Sequence, residues 1–151
     1  MRLPDRLVVE RPRLKRGAIA GLAGGAAFAA FMKADMAITG ERVDDFQLLA
    51  GYGPFRDNWT VPGTTVHMTN SVILGAAYST VEPLLPGPGW CRGLIFALIE
   101  NTLLYPFVAL LDLIHPAIRS GDLPRYSRPW PFTAETLRHV AYGLVLGYVF
   151  D

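Results

Sequence analysis

A single cysteine, Cys91, stands in the 151-residue chain. It excludes an intramolecular disulfide, a cysteine-based zinc site and a dithiol redox pair, and a lone thiol beside Trp90 reads as inert. Charge is scarce as well: Asp, Glu, Lys and Arg make up 18% of the residues, against about 25% in soluble domains. A Walker loop, a nucleophile elbow, a Rossmann fingerprint, a haem attachment motif and an EF-hand loop are all missing. Nucleic-acid binding is disfavoured too. The dense basic cluster of Arg2, Arg6, Arg11, Arg13, Lys15 and Arg16 runs straight into an apolar segment, as a membrane topology signal does.

What the chain has is apolar surface: 51% hydrophobic residues and a mean hydropathy of +0.27. It is concentrated in four segments, 17–38, 63–85, 90–114 and 132–150, each near the roughly 20 residues that cross a bilayer. The expectation is an all-α, polytopic membrane four-helix bundle over 17–151, preceded by a basic cytoplasmic segment over 1–16. A cleaved leader is disfavoured, because "KADMAITG" makes a poor cleavage site and three more spans follow. Pro86, Gly87, Pro88 and Gly89 cannot continue a helix, so the second and third spans form an antiparallel hairpin. The other connections, around 39–62 and 115–131, are rich in Pro, Gly, Trp and Asp and are expected to fold as caps. With the N-terminus inside, the inner face carries the basic cluster plus Arg92, and the outer loops carry Arg42, Arg56, Arg119, Arg125 and Arg128. The block ahead of the first span sets the orientation: both termini cytoplasmic, in a bacterial inner membrane.

Rows of small residues at helical spacing mark the inward faces. They are Gly17, Gly21, Gly25 and Ala29 in the first span, His67, Ser71, Gly75 and Ser79 in the second, and Glu135, His139, Gly143 and Gly147 in the fourth. Such rows let backbones approach closely in lipid. In the third span Ala97, Asn101, Tyr105, Val108, Asp112 and His115 share a face. Pro106 removes the amide that would bond the Thr102 carbonyl, so a kink is expected there.

The two halves of the chain also follow a common order. "KRGAIAG" and "CRGLIFA" open the first and third spans, and Asp35 and Asp112 close them. Trp59 precedes His67 by eight residues and Trp130 precedes His139 by nine. Each half reads as Arg-Gly, helix, Asp, Trp-bearing loop, His, helix. Two repeated hairpins of this kind would be related by a pseudo-twofold axis along the membrane normal, in the manner of other duplicated membrane folds.

In this topology Asp35, His67, Asp112, His115, Glu135 and His139 all lie near the outer ends of their helices, with Lys33 and Arg138 as supporting charges. Ionisable groups in spanning segments are costly unless paired or hydrated, so they are functional candidates. One expectation is a structural network in which histidines pair with aspartates and Arg138 and Lys33 pair with Glu135 or Asp35. A second is a divalent metal, zinc, iron or manganese, held by the one-turn pairs Asp112–His115 and Glu135–His139. A third is a proton or small polar-ligand pathway through the histidines. Deeper in the third span, Glu100 and Asn101 are intramembrane polar residues, and Glu100 must be protonated, paired across a helix interface or turned to another subunit.

"LLPGPGWCRGLIFAL" followed by "ETLRHVAYGLVLGYVF" resembles a family of small bacterial four-helix integral membrane proteins, a domain of unknown function. The likeness lies in the Leu-Pro-Gly turn, the Arg-Gly helix start and the pattern of His139, Tyr142, Gly143 and Gly147. It implies the fold and no particular activity. The function expected is non-catalytic: a structural, accessory or assembly subunit that packs in the lipid bilayer against itself or a larger complex. The alternative is a metal- or small-ligand-binding membrane protein, with an enzyme or a proton-coupled carrier among its forms, using the outer Asp/His cluster.

Overall fold

The four apolar segments become four long helices, and each of the two longer connections, around 39–62 and 115–131, contains a short one. The computed structural model describes residues 11–151. In chain order the helices are α1 (Arg11–Thr39), α2 (Asp45–Ala50), α3 (Thr60–Val81), α4 (Gly89–Leu110), α5 (Pro116–Ser120) and α6 (Pro129–Phe150), with no strand among the described residues. Helix α1 begins at Arg11 rather than Gly17, so Arg11, Arg13, Lys15 and Arg16 ride on its first turns. The rest of the basic segment lies outside the described residues. By length and apolar composition, α1 and the stretch Gly89–Leu113 suffice to cross a membrane. Helices α3 and α6 are as long as α4, 22 residues each, or about 33 Å, but are more polar.

Glycine decides which helices touch. Gly17, Gly21 and Gly25 of α1 lie against Ser71, Gly75 and Ser79 of α3, so closely that a Cβ on Gly75 would stand 2.6 Å from Gly21 Cα. Gly89 and Gly93 of α4 meet Gly143 and Gly147 of α6 in the same way, and a Cβ on Gly93 would stand 2.6 Å from Gly147 Cα. Both seams join stripes of small residues, which is where backbone can approach backbone. Helix α1 also packs on α6, with Gly24 under the Tyr142 ring.

Helices α3 and α4 are consecutive, yet they form no comparable seam. The turn between them depends on Gly87 at φ 92°, a conformation that favours glycine. Beside that turn Tyr78 and Phe96 touch, with ring centroids 5.3 Å apart. Beyond it the helices diverge, since each has turned its small-residue stripe to another partner. The hairpin expected from the sequence is therefore a hairpin in connectivity and an open angle in packing. Within each half the seam is alike; between the halves α1 closes on α6, whereas α3 and α4 stay apart.

Two apolar clusters hold the bundle. The main one contains Phe28, Met32, Phe46, Tyr78, Tyr142, Leu146 and Phe150. The second, built from Val43, Leu48, Ala117, Ile118, Leu123, Tyr126 and Ala134, lies under the two connecting segments, which fold as caps around α2 and α5. At the opposite end Glu82 is buried and clamped by Arg13 and Arg92, tying α1, the end of α3 and the start of α4 together. Helix α4 continues through Pro106 and ends four residues later at Leu110.

Candidate functional site

Asp35 stands in the last turns of α1, where a carboxylate opposes the helix dipole. Its compensation is Arg138 of α6. The guanidinium grips it as a fork, Nε to Oδ2 at 2.7 Å and Nη2 to Oδ1 at 2.8 Å, the bidentate geometry that arginine favours. Nη1 donates to Asp45 at 3.1 Å and to Glu135 at 3.0 Å. Arg138 is wholly buried, and its guanidinium is the cation that the three carboxylates surround. Asp44 caps α2 by accepting from the amides of Phe46 and Gln47, and it also receives Lys33 Nζ at 3.1 Å.

The other expected residues separate. Asp112 accepts from the backbone amides of Tyr126 and Ser127 at 2.6 and 3.0 Å, pinning the second cap. His115 is buried in that cap: Nε2 donates to the Leu48 carbonyl and Nδ1 accepts from the Ala117 amide, both near 3.1–3.2 Å. Burial lowers the His115 pKa below its ordinary value, and the Leu48 hydrogen bond opposes the shift. Burial, then the charges of Asp45 and Glu135, push the Tyr126 phenol well above 10.

His67 and His139 do come together, each packed against Phe28, with centroid distances of 4.9 and 5.2 Å to its ring. Neither is bonded to an aspartate. His67 Nε2 donates to the Gly25 carbonyl at 3.1 Å. His139 Nδ1 donates to the Glu135 carbonyl at 2.7 Å, and Nε2 meets Glu100 Oε2 at 2.8 Å. The expected His–Asp pairs are thus replaced by a carbonyl on one side and Glu100 on the other. The reason is reach: Asp35 is taken by Arg138, and Asp112 by the cap backbone. Among the described residues no three His, Cys, Asp or Glu side chains are grouped so as to hold a metal ion; of the two one-turn pairs expected to do so, Asp112 and His115 serve the cap, while the Glu135 carboxylate goes to Arg138 and His139 to Glu100.

Where α3 and α4 diverge there is a cavity of about 180 Å³. Phe28, Leu48, Leu49, His139 and Tyr142 line it. Its sides are His67, Asn70, Ser71 and Leu74 of α3 and Glu100, Asn101, Leu104, Tyr105 and Val108 of α4. Asp45 and Glu135 reach it from the Arg138 cluster. Asn70 and Leu104 are exposed at its mouth. The cleft therefore opens to the surface, its wall shared between apolar side chains and the polar groups of His67, Glu100, Asn101 and His139.

Asp45, Phe28, Asn70, Ser71, Tyr105 and Tyr142 belong to this region and do not stand out in the sequence as site residues. A signal for Asp44 and Asp45 was present in "VDDFQLL", an acidic pair ahead of an apolar run, which is an N-cap pattern. Compared with known protein families, curated proteins and solved structures, the chain matches none.

Proposed function

We propose that the chain is a multi-pass protein of a bacterial cytoplasmic membrane, both termini cytoplasmic, that binds a small amphipathic ligand in the cleft between α3 and α4. The cleft carries this conclusion. A bundle serving only as a structural part would close α3 on α4 as it closes α1 on α6, because an unfilled, partly polar gap forfeits packing on every wall.

Four crossings are supported by how the polar residues of the two less apolar helices are handled. In α3 the hydroxyls of Thr64, Thr65 and Thr69 bond carbonyls one turn back, which satisfies them without water. In α6 Arg138 is sealed among carboxylates. Helix α4 exposes Ile99, Leu103, Leu104, Phe107 and Leu110 at 48–66%, and a contiguous apolar face of that size suits lipid. The same face supports a second role, as an assembly subunit that docks on itself or on a larger complex. The proposed twofold duplication has its support in the matched glycine seams, and likeness to the four-helix family of unknown function fits the same architecture. Binding rather than catalysis is favoured, since the Ser71 hydroxyl in the cleft is committed to the His67 carbonyl.

The test is native mass spectrometry of the chain released from a mild detergent. One amphipathic molecule should be retained per chain and lost in Leu74→Trp, which fills the cleft. A chain that retains nothing, with Leu74→Trp equally well folded and more stable, would mean the cleft is only a packing defect.

A further inference from the structure

The unpaired polar atoms of the cleft are of one kind. His67 uses Nε2–H on the Gly25 carbonyl, so its Nδ1 offers a lone pair in the neutral ring. Asn101 gives its amide to Thr136 Oγ1 at 3.1 Å and keeps its carbonyl oxygen free. Glu100 spends Oε2 on His139 and keeps Oε1. None of these three acceptors has a partner among the described residues. His67 and Asn101 are only 8% and 4% exposed. Yet the one enclosed side-chain polar atom without a partner among the described residues is Arg92 Nε, at the other end of the bundle. The free atoms of His67 and Asn101 are therefore accessible, on two residues that line the cleft.

Donors nearby are spent. The Tyr105 hydroxyl donates to the Tyr126 carbonyl and the Tyr142 hydroxyl to the Ser71 carbonyl. Asn70 supplies amide hydrogens only at the exposed mouth. Asp45, Glu100 and Glu135 line the cleft, and no Lys or Arg does; Arg138 is committed to its carboxylates behind the wall.

We propose that the cleft binds the primary ammonium group of an amphiphile, whose apolar tail leaves between α3 and α4 past Leu74, Leu104 and Val108. The proposal rests on the cleft being a ligand site. An ammonium carries three donors and no acceptor, which matches three free acceptors, and its charge complements the carboxylates of Asp45 and Glu135, which line the cleft and, with Asp35, outnumber the Arg138 charge behind them. A cavity of about 180 Å³ holds a headgroup and a few methylenes, not a whole lipid. A phosphate or carboxylate head would face acceptors alone and be repelled. Two sources share this chemistry, the ethanolamine headgroup of a phospholipid and a free alkylamine.

The experiment uses the full chain in phosphatidylcholine nanodiscs, with saturable binding measured over empty nanodiscs for dodecylamine, dodecyltrimethylammonium, dodecanol and laurate. Dodecylamine should bind one to one and at least tenfold tighter than the other three. Asn101→Leu, which removes one of the three acceptors, should weaken it at least tenfold, whereas Glu100→Gln, which keeps the hydrogen bond to His139 and a free oxygen, should weaken it less. Asn101→Asp, which adds a charge, should tighten it. Retention of phosphatidylethanolamine by native mass spectrometry would assign the headgroup as the source, and amine binding without it would assign the free amine. Equal binding of dodecanol, laurate or the quaternary amine would overturn the ammonium assignment while leaving a ligand cleft. Binding of none of the probes, with no co-purified molecule, would overturn the ligand site itself.

Discussion

Glu100 of α4 holds His139 of α6 at 2.8 Å across the glycine seam. His139 already gives its Nδ1 hydrogen to the Glu135 carbonyl at 2.7 Å, a group that can only accept. One proton must then lie between Nε2 and Oε2, carried by the ring or by the carboxyl, and in either form the pair is neutral as a unit. Glu100→Gln can still donate to Nε2, whereas Glu100→Ala leaves the ring nitrogen facing the cleft alone. The alanine variant should lose about 1–3 kcal/mol and the glutamine variant much less, read by thermal unfolding in detergent. Equal losses would show that the two groups do not act as a pair.

The seams themselves predict a sharp size limit. A Cβ at Gly75 would meet the Gly17 carbonyl and Gly21 Cα, and one at Gly143 would meet Ala97 Cβ at 2.8 Å. Gly75→Leu or Gly143→Leu should destabilise by about 1–3 kcal/mol or more through overpacking. Ile73→Leu and Leu144→Ile, on outward faces, should change little. Tolerance at Gly75 equal to that at Ile73 would contradict the packing.

The helices were legible in the sequence because their determinants are local. Apolar length gave the four long segments to within a few residues, and the i, i+4 rows at His67, Ser71 and Gly75 marked the face that α3 buries. The helix starts were less so: basic residues at 11–16 read as a flanking segment and instead form the first turns of α1. The partners within the site were not legible at all. Asp35 and Arg138 are 103 positions apart, and nothing in either neighbourhood names the other. His–Asp pairing followed from residue type and a common order, but the choice of partner is settled by side-chain reach after α1 and α6 have docked. The cleft was hidden for a similar reason. A tight Pro-Gly turn implies that α3 and α4 pack together, and only the matching of stripes with α1 and α6 pulls them apart.

Arg138 has three carboxylate partners, so its loss and theirs should not be symmetric. Asp35→Asn leaves Asp45 and Glu135 on the guanidinium and should be the milder change. Arg138→Met strands three carboxylates in a buried site, and breaking such a pair from one side costs about 3–5 kcal/mol. Arg138→Lys should fall between, since an ammonium cannot make the two-pronged contact with Asp35. The order in melting temperature, Asp35→Asn above Arg138→Lys above Arg138→Met, checks the arrangement.

His115 sets an acid limit on the cap it anchors. Its ring is buried, and its folded pKa lies below the ordinary value near 6.5. Below that pH the unfolded chain takes up a proton that the folded chain resists, so stability is full above about pH 6.5 and declines as the pH falls. Protonating Nδ1 would also remove the acceptor for the Ala117 amide, the cap of α5. His115→Asn keeps a capping oxygen without titrating. Its melting temperature should therefore fall less than the wild type's between pH 7 and pH 5, and parallel curves would remove His115 as the cause.

Orientation can be read from three exposed loop positions. Asp57 and Asp122 lie in the caps beside the Arg138 cluster, and Pro86 lies in the turn at the Glu82 end; all three are exposed. Pro86 is a better probe than Gly87, because the backbone of Gly87, at φ 92°, would strain any side chain. In a Cys91→Ala background, Asp57→Cys and Asp122→Cys should react with a membrane-impermeant thiol reagent applied to intact cells. Pro86→Cys should react only after the membrane is opened. The basic first turns of α1 lie at the same end as Arg92, whose contact with Glu82 is shared by Arg13, so positive charge gathers on the side predicted to face the cytoplasm. Labelling of Pro86→Cys alone in intact cells would invert the orientation, and labelling of all three would mean that the chain does not seal a membrane between its two ends.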